Sequence, residues 1–458
     1  MARLLIVGGS DAGISAGLRA RQVDPQLQVR LLLADHFPNY SICGLPFYIS
    51  GETPDWRALA HRQLDELERG GLHLLMETVA DSFDANARLL RAHSPQSGEQ
   101  QFQYDRLIIA TGAEPIKPPI PGLELPGVHL LHTMEDSFAV RRALEAGARS
   151  ALIVGGGYIG LEMADAFRHR GIEVTLAEMA NQLMTSVDVE LAQLLLAELQ
   201  GHGVEVLLRT TLERIEQVDD RRQAVGSGSP APRLRVCGPG LDRQVDLVLV
   251  VVGVQPNAGL AVATGVETGG RGAIRVNRRM ETNLADVFAA GDCVETYHRL
   301  LARPVYIPLG TTAHKQGRVA GENAAGGLAE FQGSLGTQVV KVFDLAVART
   351  GLSQREAAAA GFQAASTLTT EFDHKAYYPG AGRLRIKVTG DRQSGRLLGA
   401  QIVGPHNAQV AKRIDIFAAA LYCDLRVDQL LDLDLSYTPP FAAPWDAVQV
   451  AAQEWLLS

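Results

Sequence analysis

Two stretches of the chain repeat one pattern of hydrophobic and polar positions. Each begins with a short apolar run that ends in glycines, continues into an alanine-rich helical pattern, and closes with a second apolar run that ends in an acid. The first copy runs from ARLLIVGGSDAG to Asp35, and the second runs from SALIVGGGYIG to Glu178. Strand, glycine turn, helix and strand in this order predict two parallel βαβ units of the dinucleotide-binding type.

Three further apolar runs end at a glycine or a turn and predict buried parallel strands, whose polar ends emerge where such sheets bind ligands. They are YDRLIIATGAEP, LVLVVVGVQPN and ADVFAAGDCVE. From about residue 332 the pattern changes to strands such as RLRIKV and LLGAQIVG, mixed with the helical stretch AQVAKRIDIFAAALY. The segment VGSGSPAP, residues 225–232, predicts a loop or flexible hairpin.

These elements predict an α/β protein with two Rossmann-like, three-layer dinucleotide-binding domains and a C-terminal α+β domain. We expect the first dinucleotide-binding domain to comprise residues 1–114 and 246–330, the second to comprise residues 115–245, and the C-terminal domain to comprise residues 331–458.

The second glycine turn has the complete G-x-G-x-x-G spacing, formed by Gly155, Gly157 and Gly160. The first glycine of such a turn allows a tight bend, the second lets a pyrophosphate approach the helix N-terminus, and the third lets helix and strand pack closely. Glu178, at the end of the next strand, is placed to accept a hydrogen bond from a ribose 2′-hydroxyl. The first turn departs from this spacing, because Ser10 stands where the second glycine is usual, so a plain glycine-rich βα turn is the alternative there.

Composition and charge mainly exclude certain partners and locations. The 458 residues carry a formal net charge of -8 and contain no dense Lys/Arg run, so neither nucleic acid nor an anionic membrane surface is an expected partner. Residues 4–7 form an apolar run too short for a signal peptide, and no apolar stretch approaches the roughly 20 residues of a membrane span. We therefore expect a cytoplasmic protein.

The four cysteines indicate neither a disulfide framework nor a metal site. Cys43, Cys237, Cys293 and Cys423 are scattered and show no CxxC or Cys/His spacing. We expect at least three of them to be packing residues. Cys43 stands apart, because it lies in SICGLPFYISG between two short hydrophobic pieces and beside a glycine.

The order of the motifs carries a resemblance over essentially the whole chain. Two dinucleotide folds, ATG, GGGYIGLE, AAGD and a C-terminal region ending in YTPPFAAPWD are similar to the flavoprotein pyridine nucleotide-disulfide oxidoreductases. The two-cysteine branch of that family has a CxxxxC pair, whereas Phe47 and Tyr48 follow Cys43 at that distance. The chain therefore resembles the single-cysteine branch, which includes coenzyme A disulfide reductases, coenzyme A persulfide reductases, NADH peroxidases and NADH oxidases.

The resemblance implies FAD in the first dinucleotide-binding domain, a nicotinamide dinucleotide in the second, and a C-terminal domain that forms a homodimer. A carboxylate at Glu178 would repel a 2′-phosphate, so we expect NADH rather than NADPH. The predicted cofactor-binding residues are Gly8, Gly9, Ser10, Asp11, Ala12, Gly13, Asp35, Ala110, Thr111, Gly112, Gly155, Gly157, Tyr158, Ile159, Gly160, Glu178, Gly253, Gly291 and Asp292.

The resemblance also implies that Cys43 is the redox-active residue. We expect it near a helix N-terminus, where free amides and the helix dipole would lower the pKa of the thiol. Tyr377, Tyr378 and Tyr437 match tyrosines that the family supplies from the partner subunit as proton donors. The predicted substrate-binding residues are Arg19, Arg21 and Ser41.

Three functions follow as hypotheses. The leading one is reduction of a low-molecular-weight disulfide or persulfide of the coenzyme A type, although Ile42 stands where coenzyme A disulfide reductases usually have Asn. The second is an NADH oxidase or peroxidase that uses a Cys43 sulfenic acid; Asp11 disfavours it, because peroxidases typically have histidine there. Asp11 would disfavour a thiolate unless it points away, and its alternative roles are proton donor or substrate ligand. The third is a redox-sensing or electron-transfer flavoprotein that acts on a protein partner.

Overall fold

The computed structural model describes residues 2–218 and 233–458. The predicted loop at residues 225–232 lies outside the described residues. The first segment forms the start of a parallel sheet, a separate antiparallel sheet and three helices. Its elements are β1 Arg3–Val7, α1 Asp11–Val23, β2 Gln28–Leu32, α2 Leu45–Ser50, α3 Leu64–Arg69, β3 Leu72–Leu75, β4 Val79–Asp84, β5 Leu89–Ser94, β6 Gly98–Gln103, β7 Arg106–Ile109 and β8 Ala113–Pro115.

The middle of the chain forms a second parallel sheet and a three-stranded antiparallel sheet. Its elements are β9 Val128–His129, α4 Met134–Glu145, β10 Ser150–Val154, α5 Tyr158–His169, β11 Glu173–Glu178, α6 Val189–Gly201, β12 Glu205–Leu208, β13 Arg214–Gln217, β14 Leu234–Gly238, β15 Leu241–Val245 and β16 Leu247–Val250.

The chain then returns to the first sheet. The elements of this segment are β17 Val254–Pro256, α7 Gly259–Val262, β18 Val287–Ala289, β19 Thr296–His298, β20 Arg303–Val305 and α8 Gly310–Ala324. Strand β18 pairs in parallel with β7, which gives the order β18-β7-β1-β2-β3. The second sheet has the order β12-β11-β10-β16-β9 and is also parallel. The two predicted dinucleotide-binding folds are thus present.

One predicted boundary is wrong. The sequence placed the return to the first domain at residue 246, but β16 pairs with β10 in the second sheet. The apolar run that contains β16 is compatible with either sheet, because both are parallel and buried on both faces. The return therefore begins after Val250.

The C-terminal segment has the predicted mixture of strands and helices. Its elements are β21 Gln338–Val342, β22 Leu345–Gly351, α9 Gln354–Ala359, β23 Ala364–Phe372, β24 Arg383–Asp391, β25 Leu397–Pro405, α10 Val410–Tyr422 and α11 Ala447–Leu457. The strands form one antiparallel sheet in the order β21-β22-β25-β24-β23.

The C-terminal sheet packs against the second dinucleotide-binding fold. Apolar residues of both belong to one buried cluster, which includes Phe167 and Val340. Lys341 forms an ion pair with Asp165 of α5 at 2.7 Å, and the buried Lys387 lies 3.0 Å from Asp188. No helix within residues 2–218 or 233–458 has the length and apolar character needed to cross a membrane.

Helices α1 and α8 pack unusually closely because small residues face each other along both. A β-carbon on Gly317 would lie 2.2 Å from the Ala12 carbonyl oxygen, and one on Gly321 would lie 2.0 Å from the Ala16 carbonyl oxygen. Any larger side chain at either glycine would push the helices apart. This seam fixes the register in which residues of α8 meet those near the first glycine turn.

Candidate active site

The first glycine turn joins β1 to α1 and fits a dinucleotide pyrophosphate. Gly8 has φ +116°, and a β-carbon there would lie 2.0 Å from the Ala110 carbonyl oxygen; one on Gly13 would lie 1.9 Å from the Gly8 carbonyl oxygen. Ser10 is the N-cap of α1 but its side chain makes no capping hydrogen bond. The first amides of α1 are therefore free to bind an anion.

Two side chains extend this site. The Asp35 carboxylate follows β2 and accepts a hydrogen bond from the Phe37 amide at 2.9 Å, and burial is the main cause that raises the pKa of Asp35. Asn39 is fully buried, and its backbone amide donates to the Gly9 carbonyl at 2.9 Å. Neither side-chain polar atom of Asn39 has a partner in the described chain. Buried polar groups are normally hydrogen-bonded, and a bound cofactor beside Gly9 would supply the partner that Asn39 lacks. Sequence reasoning missed Asn39.

The other predicted residues of this site lie at the carboxyl ends of β7 and β18. The Thr111 hydroxyl donates to the Asn257 carbonyl at 2.6 Å, and the Gly291 amide donates to the side chain of Gln316 at 2.9 Å. Burial, followed by the nearby charge of Asp11, raises the pKa of Asp292 to about 6. Asp292 and Asp11 are therefore neighbours.

The second glycine turn repeats this construction between β10 and α5. Gly155 has φ +112°, and a β-carbon there would lie 2.5 Å from the Val251 carbonyl oxygen; one on Gly160 would lie 1.9 Å from the Gly155 carbonyl oxygen. By contrast, a β-carbon on Gly157 would meet nothing within 4 Å in the described chain. The space above Gly157 and the uncapped N-terminus of α5 fit a second pyrophosphate.

The acid of this second site is held by backbone amides. Glu178 accepts hydrogen bonds from Gly156 at 2.6 Å and from Ala180 at 2.7 Å, so its carboxylate is oriented at the edge of the turn. The Tyr158 hydroxyl lies 3.2 Å from the Ser186 hydroxyl, and Ile159 packs partly buried against the core. Gly253, with φ +115°, ends the segment after β16, at the same edge of the sheet.

Cys43 lies in a single turn of 3-10 helix, residues Ile42–Gly44, which has Ser41 as its N-cap and runs directly into α2. The position near a helix N-terminus is confirmed, but the predicted lowering of its pKa is wrong for the protein chain by itself. Cys43 is exposed, yet protein atoms surround its thiol on several sides, and this partial desolvation raises the pKa of the thiol. The charges of Glu162, Asp11 and Asp292 raise it further.

Glu162 is a second site residue that sequence reasoning missed. It lies in the second turn of α5, next to the glycines of the second glycine turn, and belongs to the motif GGGYIGLE. Burial raises the pKa of Glu162 to about 7, with Asp165 adding to the rise and Lys341 opposing it. The helix that binds one predicted cofactor thus also presents a carboxyl group to Cys43.

The predicted substrate-binding arginines have different surroundings. Arg19 pairs with Glu322 at 2.7 Å and lies on a cavity of about 590 Å³ between α1, α8 and the end of α10. Arg21 donates to the backbone carbonyls of Pro25 and Leu27, which turn the chain into β2. Arg21 therefore stabilises this turn, and its role as a substrate ligand stays a prediction.

The three predicted tyrosines lie on the surface of the C-terminal domain. Tyr377 is 74% exposed and Tyr437 is 43% exposed, and Tyr378 packs edge-on against His374 with ring centroids 5.8 Å apart. No hydrogen bond, ion pair or ring contact in the described chain joins any of them to Cys43. A role beside Cys43 therefore requires a second protomer.

The other cysteines differ from one another. Cys237 and Cys293 are buried, and the Cys293 sulfur lies 3.4 Å from the Ala290 carbonyl oxygen. Burial raises the pKa of Cys293 to about 11, so this thiol stays protonated. Cys423, just beyond α10, is exposed. The expectation that at least three cysteines pack inside the protein thus holds for only two.

Comparison with known proteins assigns the family. Residues 2–317 match the model of the pyridine nucleotide-disulphide oxidoreductases, and residues 337–448 match the dimerisation domain of the same proteins. The chain belongs to the pyridine nucleotide-disulphide oxidoreductase family. The resemblance read from the motifs is confirmed, and membership implies an enzyme that uses FAD and NAD(P)H.

Individual relatives of this oxidoreductase cover nearly its full length. It is 33% identical over 452 residues to an NAD(P)H sulfur oxidoreductase (CoA-dependent) of Pyrococcus abyssi, which covers 98% of this chain and 97% of the relative. An NADH oxidase of Methanocaldococcus jannaschii is 31% identical over 457 residues and covers 99% and 98%. The solved structure of an NAD-dependent persulfide reductase from A. fulgidus gives a TM-score of 0.92 at 35% identity and covers 98% of this chain and 82% of that one.

Proposed function

We propose that this protein is a homodimeric, FAD-dependent and NADH-using reductase of a low-molecular-weight disulfide or persulfide, with Cys43 as its single redox-active cysteine. The observation that carries the proposal is the placement of one exposed thiol between two dinucleotide-binding turns, beside carboxyl groups contributed by α1, α5 and the end of β18. A substrate that contains its own S–S bond needs no second protein cysteine. Relatives named as CoA-dependent sulfur and persulfide reductases support this substrate class.

The chemistry at sulfur requires only groups of this chain and the substrate. FAD, when bound, supplies the transfer of two electrons from the nicotinamide to sulfur. The Cys43 thiolate attacks one sulfur of the substrate, the S–S bond breaks, the departing thiolate takes a proton, and the other half stays joined to Cys43 as a mixed disulfide. Two electrons that come from the nicotinamide then break this second S–S bond, which restores the Cys43 thiolate and releases the other half as a thiolate that takes a proton. Tyr437, Tyr377 or Tyr378 of a partner subunit supplies that proton in this proposal, since a phenol is a suitable donor to a leaving thiolate.

NADH is the proposed reductant because of Glu178. Two backbone amides orient its carboxylate at the end of β11, where it accepts from a free 2′-hydroxyl and repels a 2′-phosphate. The adjacent Met179 is largely exposed and offers no positive charge to a phosphate. The expected result is a higher kcat/KM with NADH than with NADPH; the reverse order would refute this part of the proposal.

The cavity beside α8 supports an anionic substrate. Arg19, Arg299, Lys315 and Arg318 line it, against the carboxylates of Glu322 and Glu330. Such a set of cations suits the phosphates of a coenzyme A portion. Coenzyme A persulfide and glutathione persulfide carry the same reacting sulfurs, so a clear preference in kcat/KM for the former would support binding of the nucleotide portion, and equal values would exclude it.

The decisive experiment replaces the proposed redox cysteine. We expect Cys43→Ser to abolish NADH oxidation with disulfide or persulfide under anaerobic conditions, because the proposal places the mixed disulfide on Cys43 alone, while flavin reduction by NADH in a single turnover persists. Cys423→Ser is the matched control, because Cys423 is the other exposed cysteine and lies beyond α10. Sulfur turnover that survives in Cys43→Ser would refute the mechanism, and turnover of the wild type with peroxide alone would identify a peroxidase instead.

A further inference from the structure

The close seam between α1 and α8 brings an imidazole to the carboxylate that crowds Cys43. His314 lies one turn before Gly317 on α8, and its Nε2 atom is 3.2 Å from Oδ1 of Asp11. Its Nδ1 atom is 2.7 Å from the Ser15 hydroxyl oxygen, so both ring nitrogens are oriented by α1. The buried Oδ1 atom of Asp11 has no hydrogen-bond partner in the described chain. The imidazole of His314 is therefore the group placed to offset the negative charge of this oxygen.

The contact between His314 and Asp11 affects the ionisation of Cys43 through charge. Asp11 is one of three carboxylates that raise the pKa of the Cys43 thiol, together with Glu162 and Asp292. A protonated imidazole against Asp11 offsets its negative charge and so weakens its opposition to the thiolate. The Ser15 hydroxyl can donate to a neutral His314 or accept from a protonated one, so it holds the ring in the same place in both states.

We propose that His314 is a positioning residue that compensates the charge of Asp11 and thereby sets the thiolate population of Cys43. The inference deepens the proposed function, since it rests on Cys43 as the reacting group. The side-chain contact with Asp11 raises the pKa of His314, whereas its partial burial and the nearby Arg62 act in the opposite direction. His61, whose Nε2 atom is 4.0 Å from Asp11 Oδ1, is the other imidazole that faces this carboxylate.

The sign of the pH dependence follows. Below the pKa of His314 the pair is neutral and the thiolate of Cys43 is favoured; as the pH rises through that pKa, the bare Asp11 charge returns and the pKa of Cys43 rises. The wild-type profile of Cys43 reactivity against pH should therefore be broader than a single titration. Removal of the imidazole should take the His314 contribution out of this profile and move the profile to higher pH.

The test measures thiol chemistry rather than turnover, so it remains informative if the proposed substrate is wrong. Reduced holoenzyme is alkylated with iodoacetamide at several pH values below the Cys43 pKa, and the rate at Cys43 is read by mass spectrometry of its peptide. Cys423 serves as the reference in every sample, because it is exposed and remote in sequence from both helices. Flavin content is measured for each variant to confirm an intact first site.

At pH values below the pKa of His314, we expect His314→Gln to slow Cys43 alkylation about threefold, which corresponds to half a pKa unit of the thiol. His314→Arg should restore the rate without the His titration. Asp11→Asn should increase the alkylation rate of Cys43. In the Asp11→Asn background, His314→Gln should change this rate very little, because the two residues act through one charge. His93→Gln is the matched control, since His93 pairs with Asp81 at 2.7 Å on a separate sheet. An unchanged rate in His314→Gln, or an equal loss in the Asp11→Asn background, would overturn the proposal.

Discussion

At the scale of single residues, the thiol of Cys43, the proposed redox residue, is close to several carboxyl groups. Cys43 lies in a three-residue helical turn that continues into the six residues of α2, so the macrodipole that these short helices offer to a thiolate is small. Desolvation and three carboxyl groups oppose that dipole. The reactivity of Cys43 therefore depends on how many of those carboxyl groups carry a charge at a given pH.

Glu162 provides a direct test of this dependence. The pKa of Glu162 is raised to about 7, so this side chain is mostly neutral at pH 6 and mostly ionised at pH 8. Glu162→Gln should therefore leave the alkylation rate of Cys43 unchanged at pH 6 and increase it about threefold at pH 8, because only the ionised carboxylate raises the pKa of the thiol.

The rates are compared with those of Glu190→Gln, a change on α6 at an exposed residue that pairs with Lys387. An increase of equal size at both pH values would show that Glu162 acts through packing and not through its charge.

The residues that sequence reasoning found and missed differ in one physical respect. Cys43, Asp35 and Glu178 stand in motifs whose local order already implies their roles. Asn39 and His314 lie outside such motifs. Asn39 reaches the site from the loop after β2. His314 reaches it from α8, although it is 303 residues from its partner Asp11 in the chain. Only the close packing of α1 against α8 brings His314 to Asp11, and a single sequence carries no signal for it.

At the scale of elements, glycines of the same turn meet different constraints, one from packing within the fold and one from the space left for a ligand. A methyl group on Gly160 would strike the carbonyl of Gly155, whereas one on Gly157 would meet no protein atom within 4 Å in the described chain. Gly157 also has φ -84°, which alanine adopts readily. One of these glycines is thus required by the fold, and the other only by a ligand.

These geometries predict opposite effects for the same substitution. Gly160→Ala should lower the melting temperature, because α5 must move away from β10 at a cost of about 1–3 kcal/mol. Gly157→Ala should leave the melting temperature unchanged and raise the KM for NADH about tenfold or more, a loss of about 1.4 kcal/mol in binding. Thermal denaturation and steady-state kinetics check both, and a stability loss in Gly157→Ala equal to that in Gly160→Ala would contradict this division.

The elements themselves were largely predictable, because parallel buried strands and glycine turns leave strong local patterns. The misplaced boundary at residue 245 shows where this fails: β16 is apolar throughout, and nothing in its own residues says which of two parallel sheets it joins. The contacts of Arg21 were unpredictable for a similar reason. Its partners are backbone carbonyls of the following turn, which hydropathy cannot reveal.

At the scale of the whole molecule, the protomer carries a surface that implies a second copy. Tyr377, Tyr437, Phe441 and Trp445 are exposed aromatic residues of the C-terminal segment, within or next to the matched dimerisation domain. Exposed aromatic side chains in one region are typical of an interface. A buried pair holds this region, since Arg413 lies 3.1 Å from Asp446 and donates to the carbonyl of Asp373.

A mixed dimer can decide whether a tyrosine of one protomer serves the cysteine of the other. Cys43→Ser homodimers should be inactive, and Tyr437→Phe homodimers should lose much of their sulfur turnover. In a hybrid of the two variants, the Cys43 of one protomer would meet the intact Tyr437 of its partner, while the other site would contain both changes. Action across the interface therefore predicts about half of the wild-type activity in the hybrid.

The hybrid is prepared by coexpression with two different affinity tags and sequential purification, and its kcat is compared with that of a doubly tagged wild-type dimer. If the tyrosine acted on the cysteine of its own protomer, each site of the hybrid would carry one defect and the activity would not exceed half of that of Tyr437→Phe. A Tyr437→Phe homodimer with full activity would instead assign the proton to another group. The two geometries thus give different rates from the same two substitutions, because the number of intact Cys43–Tyr437 pairs differs between them.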